Sequence, residues 1–187
     1  MCSLRGFFWN SEGFRDPGKH LLVKEVIREK RLDFLALSET GRSNFSTPFL
    51  NNLAVGFDFS WFCLPPQGRS GGMLIGINMA TIQVTNVDVD DFCVKLYVKS
   101  RFDGFEWVLV SVYGAAQDDK KNLFLSEFVR MCENEPLPLM AGGHFNIIRK
   151  PNEKNNSNFN PRWPFIFNAI IQGIGLKEIE TTIHLGE

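Results

Sequence analysis

The sequence predicts one mixed α/β domain with a large antiparallel component. Three observations carry that class. The chain opens on a strand–helix–strand pattern over residues 4–37. Short apolar segments separated by turns, with no helix read between them, follow over residues 57–112. Helix and strand then alternate again from residue 118.

The elements follow in order. Residues 4–9 are a short apolar run ending at Asn10. Asp16-Pro17-Gly18 is a helix-start signal, because proline suits the first turn. The helix over 20–30 places Leu21, Leu22, Val26 and Ile27 on one face and Lys24, Glu25, Arg28 and Glu29 on the other. Residues 33–37 form a second strand that stops at Ser38-Glu39-Thr40. A β-α-β opening predicts parallel neighbours whose ends share one sheet edge. Strands are predicted over 57–63, 73–77, 81–89, 92–99 and 105–112, the last after the hairpin turn Asp103-Gly104. Consecutive strands joined without helices pair antiparallel. A helix over 118–133 presents Leu123, Phe124, Phe128 and Met131. Residues 137–141 are a strand leading into Gly142-Gly143-His144-Phe145-Asn146, a polar loop covers 152–160, a helix 163–171, and a further strand starts over 176–180.

Composition narrows the function classes. The 187 residues are 44% hydrophobic, enough for a sizeable core and too apolar for wholesale disorder. Twenty Lys+Arg against 21 Asp+Glu argue against nucleic-acid binding by bulk attraction and leave room only for a local basic groove. Eighteen Phe against 2 Tyr favour an aromatic-packed interior. Cys2, Cys63, Cys93 and Cys132 form no C-x-x-C pair and read as reduced, buried thiols. With only His20, His144 and His184 beside them, a zinc cluster is not expected. No signal-peptide pattern and no apolar run of membrane-spanning length are found, so an intracellular protein, cytoplasmic or nuclear and without membrane partners, is expected. No Walker A or G-x-G-x-x-G motif supports a nucleotide cofactor. Nothing in the sequence fixes an oligomeric state.

Four strand ends carry polar residues: Asn10, Glu39, Tyr113-Gly114 and His144-Phe145-Asn146. Each taken alone has a plain account. Glu39 reads as a loop acid, Asn10 as a turn former, Tyr113 as a core aromatic with a wet hydroxyl, and Asn146 as a turn residue. Their shared position matters more, since sites in α/β sheets collect at the carboxyl ends of strands. Gly68-Arg69-Ser70-Gly71-Gly72 matches the G-x-S-x-G pattern of a nucleophile elbow. The strand-like residues after it and Pro65-Pro66 before it argue against that use. It reads better as a glycine-rich loop, with Arg69 as a phosphate contact or a solvated cation.

Taken in order, Trp9-Asn10, Glu39-Thr40, the 68–72 loop, Val112-Tyr113-Gly114 and Gly143-His144-Phe145-Asn146 resemble the endonuclease/exonuclease/phosphatase superfamily. Within it, the chain looks like the endonuclease domain of plant non-LTR (LINE-type) retroelements. The resemblance implies a four-layered α/β sandwich of two mixed, largely antiparallel sheets flanked by helices. It also implies hydrolysis of phosphodiester or phosphomonoester bonds with Mg2+ or Mn2+, and DNA as the partner. By the same resemblance Glu39 is the metal carboxylate and Asn10 helps hold the metal. Tyr113 hydrogen-bonds the scissile phosphate, and Asn146 orients the water or stabilises the phosphate in the transition state.

Two departures stand against that pattern. The family's Gly-Asp-Phe-Asn box reads Gly143-His144-Phe145-Asn146 here, so a catalytic carboxylate is replaced by an imidazole. The expected result is impaired catalysis, with His144 as a substitute base the lesser alternative. Relatives also continue to a Ser-Asp-His box, so residues 1–187 are expected to be a single domain lacking its final strands, with His184 outside that box. A catalytically inactive, nucleic-acid-binding remnant is the alternative, and a phosphatase on small substrates a further one.

Overall fold

The computed structural model describes residues 4–66, 71–153 and 160–179. Arg69 and His184 lie outside the described residues. The chain divides into two compact units, residues 1–146 and 147–187.

The first unit begins with β1 (Gly6–Asn10), α1 (Pro17–Lys30) and β2 (Phe34–Ser38). The Asp16 carboxylate accepts from the Gly18 N–H at 2.8 Å and caps α1. Arg31, at φ 50°, ends it in the left-handed region. Leu21 is 56% exposed, whereas Val23 is 1% exposed, a correction to the expected face. Val23, Val26 and Ile27 form the i, i+3, i+4 stripe that is buried. A short helix, α2 (Thr47–Leu53), was not expected. Its seven residues are too few to show a helical period, although Ser46, which caps it by accepting from Phe49 N–H, and Pro48 mark its start.

Five strands follow: β3 (Phe59–Leu64), β4 (Met73–Asn78), β5 (Ile82–Val89), β6 (Cys93–Ser100) and β7 (Glu106–Tyr113). A 3₁₀ turn at Asp118–Lys120 leads into α3 (Lys121–Cys132), and β8 (Leu139–His144) closes the unit. Three of the four residues expected on the buried face, Phe124, Phe128 and Met131, are buried, and Leu123, 59% exposed, is the correction. Leu125 is buried with them.

The strands form two four-stranded sheets, ordered β1-β2-β4-β3 and β5-β6-β7-β8. Each is mixed: β1–β2 and β7–β8 are parallel and the other pairs antiparallel. The sheets pack through Phe34, Ala36, Met73, Ile75 and Ile77 against Val94, Leu96, Val98, Trp107 and Leu109. The other face of the first sheet is covered by α1 and α2 through Phe7, Leu35, Leu37, Val23, Ile27 and Leu53. On the second sheet's outer face, Glu127 of α3 accepts the N–H groups of Phe92 and Cys93, each at 2.8 Å. This is the α/β sandwich the sequence implied.

The carboxylate oxygens of Asp90, Asp91 and Glu127 lie within 4.8 Å of one another. With Arg130 bonded to Asp90, this trio ties the β5–β6 turn to α3. Burial pushes the Glu127 carboxyl up, against the two N–H donors that lower it. Cys93 and Cys132 are buried free thiols, but Cys63 is exposed, which corrects one of the four; Cys2 lies outside the described residues. Burial pushes the Cys132 thiol up to about 12, and Cys93 higher still, so neither acts as a nucleophile at neutral pH.

In the second unit, α4 (Arg162–Gly173) buries Trp163, Phe167 and Ile171. Arg149 bonds to Asn168 at 2.9 Å and to Glu178 at 2.8 Å, securing the segment before α4. Residues 174–179 form no strand, contrary to expectation. Their carboxyl-terminal neighbour, Glu180, is outside the described residues. Among the described residues no helix is long and apolar enough to cross a membrane.

Candidate active site

The two parallel pairs bring the polar strand ends into register. Asn10 faces Ser38 across β1–β2, one residue before Glu39. Tyr113 faces His144 across β7–β8. A Cβ on Gly142 would lie 2.5 Å from the Phe8 ring, so β1 and β8 approach closely here.

Glu39, Tyr113, His144 and Asn146 form one connected group. The Tyr113 hydroxyl donates to Glu39 Oε1 at 3.0 Å. His144 Nε2 is 4.0 Å from that same oxygen and 2.9 Å from Asn146 Oδ1. The Tyr113 and His144 rings lie 6.1 Å apart at 25°. Asn146 Nδ2 donates to the Gly114 carbonyl at 2.7 Å. Two of these residues hold unusual backbone, Glu39 at φ 54° and Asn146 at φ 53°. Left-handed non-glycine residues cost energy and concentrate at functional sites.

The bonding fixes a tautomer. The Gly114 carbonyl only accepts, so the Asn146 amide nitrogen must face it. Asn146 Oδ1 then faces His144, and Nε2 must carry the proton. His144 is therefore a donor at Nε2, and that nitrogen is not a free base in this arrangement. Tyr113 has likewise given its single proton to Glu39 and can donate to a phosphate only by releasing it.

Asn10 joins less directly. Its Oδ1 accepts a long 3.4 Å bond from Ser38 Oγ, and among the described residues no hydrogen bond links it to the group around Glu39. Three features were missed from the sequence. Lys19 Nζ bonds the carbonyls of Ser11, Glu12 and Gly13 at 2.5, 3.2 and 3.2 Å, fixing the loop after Asn10. Ser11 Oγ and Ser38 Oγ crosslink the two strand ends. Thr40 Oγ1 is buried with no partner among the described residues. A lysine in the first turn of a helix that gathers the carbonyls of the preceding loop leaves no pattern in sequence.

The donors left at this edge are hard oxygens. No described residue donates to Glu39 Oε2, and Asn10 Oδ1 has only its long contact. Magnesium needs one or two carboxylates and keeps several waters, so these residues fit it.

Gly114 is the joint between the two strand ends. Its N–H donates to the His144 carbonyl at 2.7 Å, and its carbonyl accepts from Asn146. A Cβ there would sit 2.0 Å from the Phe145 carbonyl oxygen, which is backbone and cannot rotate aside. Gly114→Ala is expected to destabilise the protein by about 1–3 kcal/mol, measured by urea unfolding. A loss under about 0.5 kcal/mol would mean the joint relaxes freely.

The class that this fold and edge define is matched in sequence. The chain belongs to the Endonuclease/Exonuclease/phosphatase family, whose model matches residues 7–174. A search of curated protein sequences finds no match. Among solved structures, AP endonuclease LMAP from Leishmania major is 16% identical with a TM-score of 0.64, covering 89% of this chain and 65% of that one. The human Nocturnin catalytic domain with bound sulfate is 15% identical, TM-score 0.61, covering 79% and 65%. The 3' phosphatase NExo from Neisseria, bound to product DNA hairpin, is 13% identical, TM-score 0.60, covering 89% and 69%. At these identities the likeness is one of fold. The chain spans 65% of the length of the Nocturnin domain and of LMAP.

Proposed function

We propose that the chain, as one domain, is a divalent-metal-dependent phosphodiester hydrolase of the DNA-endonuclease type. We propose further that it descends from a retroelement and that its catalysis is impaired at His144. The convergence of Glu39, Tyr113, His144 and Asn146 at one sheet edge supports this reading most. Its likeness in fold to an AP endonuclease and a 3' phosphatase accords with it.

Magnesium, when bound, supplies charge neutralisation on the phosphate and a more acidic water. Glu39 would hold it, with Asn10 beside it. Tyr113 exchanges its bond to Glu39 for one to the phosphate, which frees the second carboxylate oxygen. Asn146, fixed by Gly114, presents its amide to the attacking water or the phosphate. The test is nicking of supercoiled DNA with magnesium. The parent chain is expected to nick slowly, and Glu39→Ala to lower the rate at least about 100-fold. Nicking that persists undiminished in Glu39→Ala sinks the proposal.

One observation favours a second reading, a pseudo-nuclease that binds nucleic acid without cleaving it. His144 donates into Asn146, so the amide oxygen expected to serve water or phosphate is already occupied. Absence of nicking in every variant, with DNA binding retained, would establish that reading. Retroelement descent is tested separately. It requires a genomic reading frame that runs on into a reverse-transcriptase-like segment.

A further inference from the structure

The turn that carries Glu39 runs directly into a cation that no described residue neutralises. The Arg42 guanidinium carbon lies 4.9 Å from the Phe45 ring centre and 4.6 Å from that of Phe49. Those rings stack on each other at 5.8 Å and 28°. Behind them Phe14, fully buried, contacts Phe45 at 6.5 Å and Phe49 at 6.2 Å. His20 meets both Phe14 and Phe49 edge-on at 4.8 Å, and its Nε2 is held by the Phe14 carbonyl at 3.1 Å. The platform is thus rooted in the core.

An arginine on an aromatic face uses its π surface there and keeps its N–H donors for another group. Among the described residues no carbonyl or carboxylate accepts from Arg42. Arg15, Arg130 and Arg149 each have such an acceptor. Nor is the backbone under Arg42 loose. Thr40 N–H donates to Gly72 O at 3.2 Å and Gly41 N–H to Gly71 O at 3.0 Å. Gly71 borders the Tyr113 ring, where a Cβ would lie 3.0 Å from Cε1. Arg42 follows Glu39 by three residues, so their Cα atoms are at most about 11 Å apart.

We propose that Arg42, braced on Phe45 and Phe49, is a positioning residue that grips a nucleic-acid phosphate flanking the one to be hydrolysed. This rests on the nuclease reading above. Each DNA strand offers a phosphate about every 3.4 Å along the axis, so a cation at this reach meets one a few nucleotides away at most. A small phosphomonoester has no flanking phosphate, so the platform selects a polymer. It is also a local grip, compatible with a net charge of -1.

The test is fluorescence anisotropy of the full chain with a short labelled DNA duplex in EDTA, over a salt series. Arg42→Met is expected to weaken binding about tenfold and to reduce the salt slope by about 0.9, one phosphate contact. Arg42→Lys restores the slope but only part of the affinity, because an ammonium cannot both stack and fork. Melting temperatures stay within about 2 °C of the parent, because methionine keeps an apolar contact with the Phe45 and Phe49 rings. A merely structural role for Arg42 would move melting and leave the slope alone. DNA binding by the parent with unchanged affinity and slope in Arg42→Met overturns the inference alone. No DNA binding by the parent at any salt overturns the nuclease reading and this inference with it. Should Arg42→Met fail to fold, Arg42→Gln removes the same charge and is read the same way.

Discussion

Replacing His144 by Asp is expected to raise magnesium-dependent nicking about 100- to 10,000-fold, the range a positioned general acid–base group contributes. That is about 2.7–5.4 kcal/mol of barrier. The geometry says why His144 withholds it. Nε2 carries a proton and points it at Asn146 Oδ1, so it accepts nothing from a water. An aspartate at the end of β8 would present acceptors only. The Asn146 amide would then turn its nitrogen toward the new carboxylate and break its bond to Gly114 O. A second carboxylate near Glu39 would also tighten the site for metal, since affinity follows the number and charge of converging oxygens. The variant should therefore need less magnesium for half-maximal nicking, a result independent of the rate itself. His144→Asn separates charge from size. It removes the ring without supplying a base, and it should gain no activity. A folded, DNA-binding His144→Asp that nicks no faster than the parent would show that the imidazole is not the defect.

Much of the fold is legible in sequence because the signals are local. Asp16-Pro17 starts α1, Asp103-Gly104 turns β6 into β7, and apolar runs mark each strand. The candidate site is legible for a related reason: a polar residue closing an apolar strand is visible without tertiary information. Glu39, Tyr113, His144 and Asn146 were found that way, and the structure brings them within bonding distance. What was not legible depends on contacts far apart in sequence. The proton on His144 Nε2 is set by Gly114, which is 30 residues earlier, through Asn146. Arg42 looks like any loop cation until Phe14, Phe45 and Phe49 assemble beneath it. Lys95 is the sharpest case. In the alternating pattern of β6, it and Tyr97 occupy the face opposite Val94, Leu96 and Val98. That pattern reads as a strand with one solvated face. The structure buries Lys95 instead.

That burial sets the second large effect. Lys95 Nζ meets Glu135 Oε2 at 2.6 Å, with the two side chains 8% and 5% exposed. Tyr97 donates to the same oxygen at 3.2 Å, and Lys95 Nζ lies 5.0 Å from the Tyr97 ring centre. Glu135→Ala leaves an ammonium buried without its counter-charge, and it is expected to cost about 3–5 kcal/mol in urea unfolding. Adding Lys95→Met should return most of that loss, since an apolar side chain of similar length replaces the stranded charge. The pH dependence has a definite sign at each end. Burial alone would raise the Glu135 carboxyl, but Lys95, the Leu137 N–H and Tyr97 together hold it below its ordinary 4.5. Its contribution is present above that value and is lost as pH falls through the depressed one. Burial would lower Lys95, yet its bonds to Glu135 and Tyr97 raise it above 10.5. That contribution is present below 10.5 and is lost as pH rises through the raised value. The Lys95→Met/Glu135→Ala chain lacks both groups, so its stability should stay flat through the two limits where the parent's falls. A loss below about 1 kcal/mol in Glu135→Ala would mean that water reaches the ammonium, as it does in exposed pairs. Lys95 pairs with Val110 of β7, the strand that ends at Tyr113. The ion pair thus supports the sheet whose edge carries half of the candidate site.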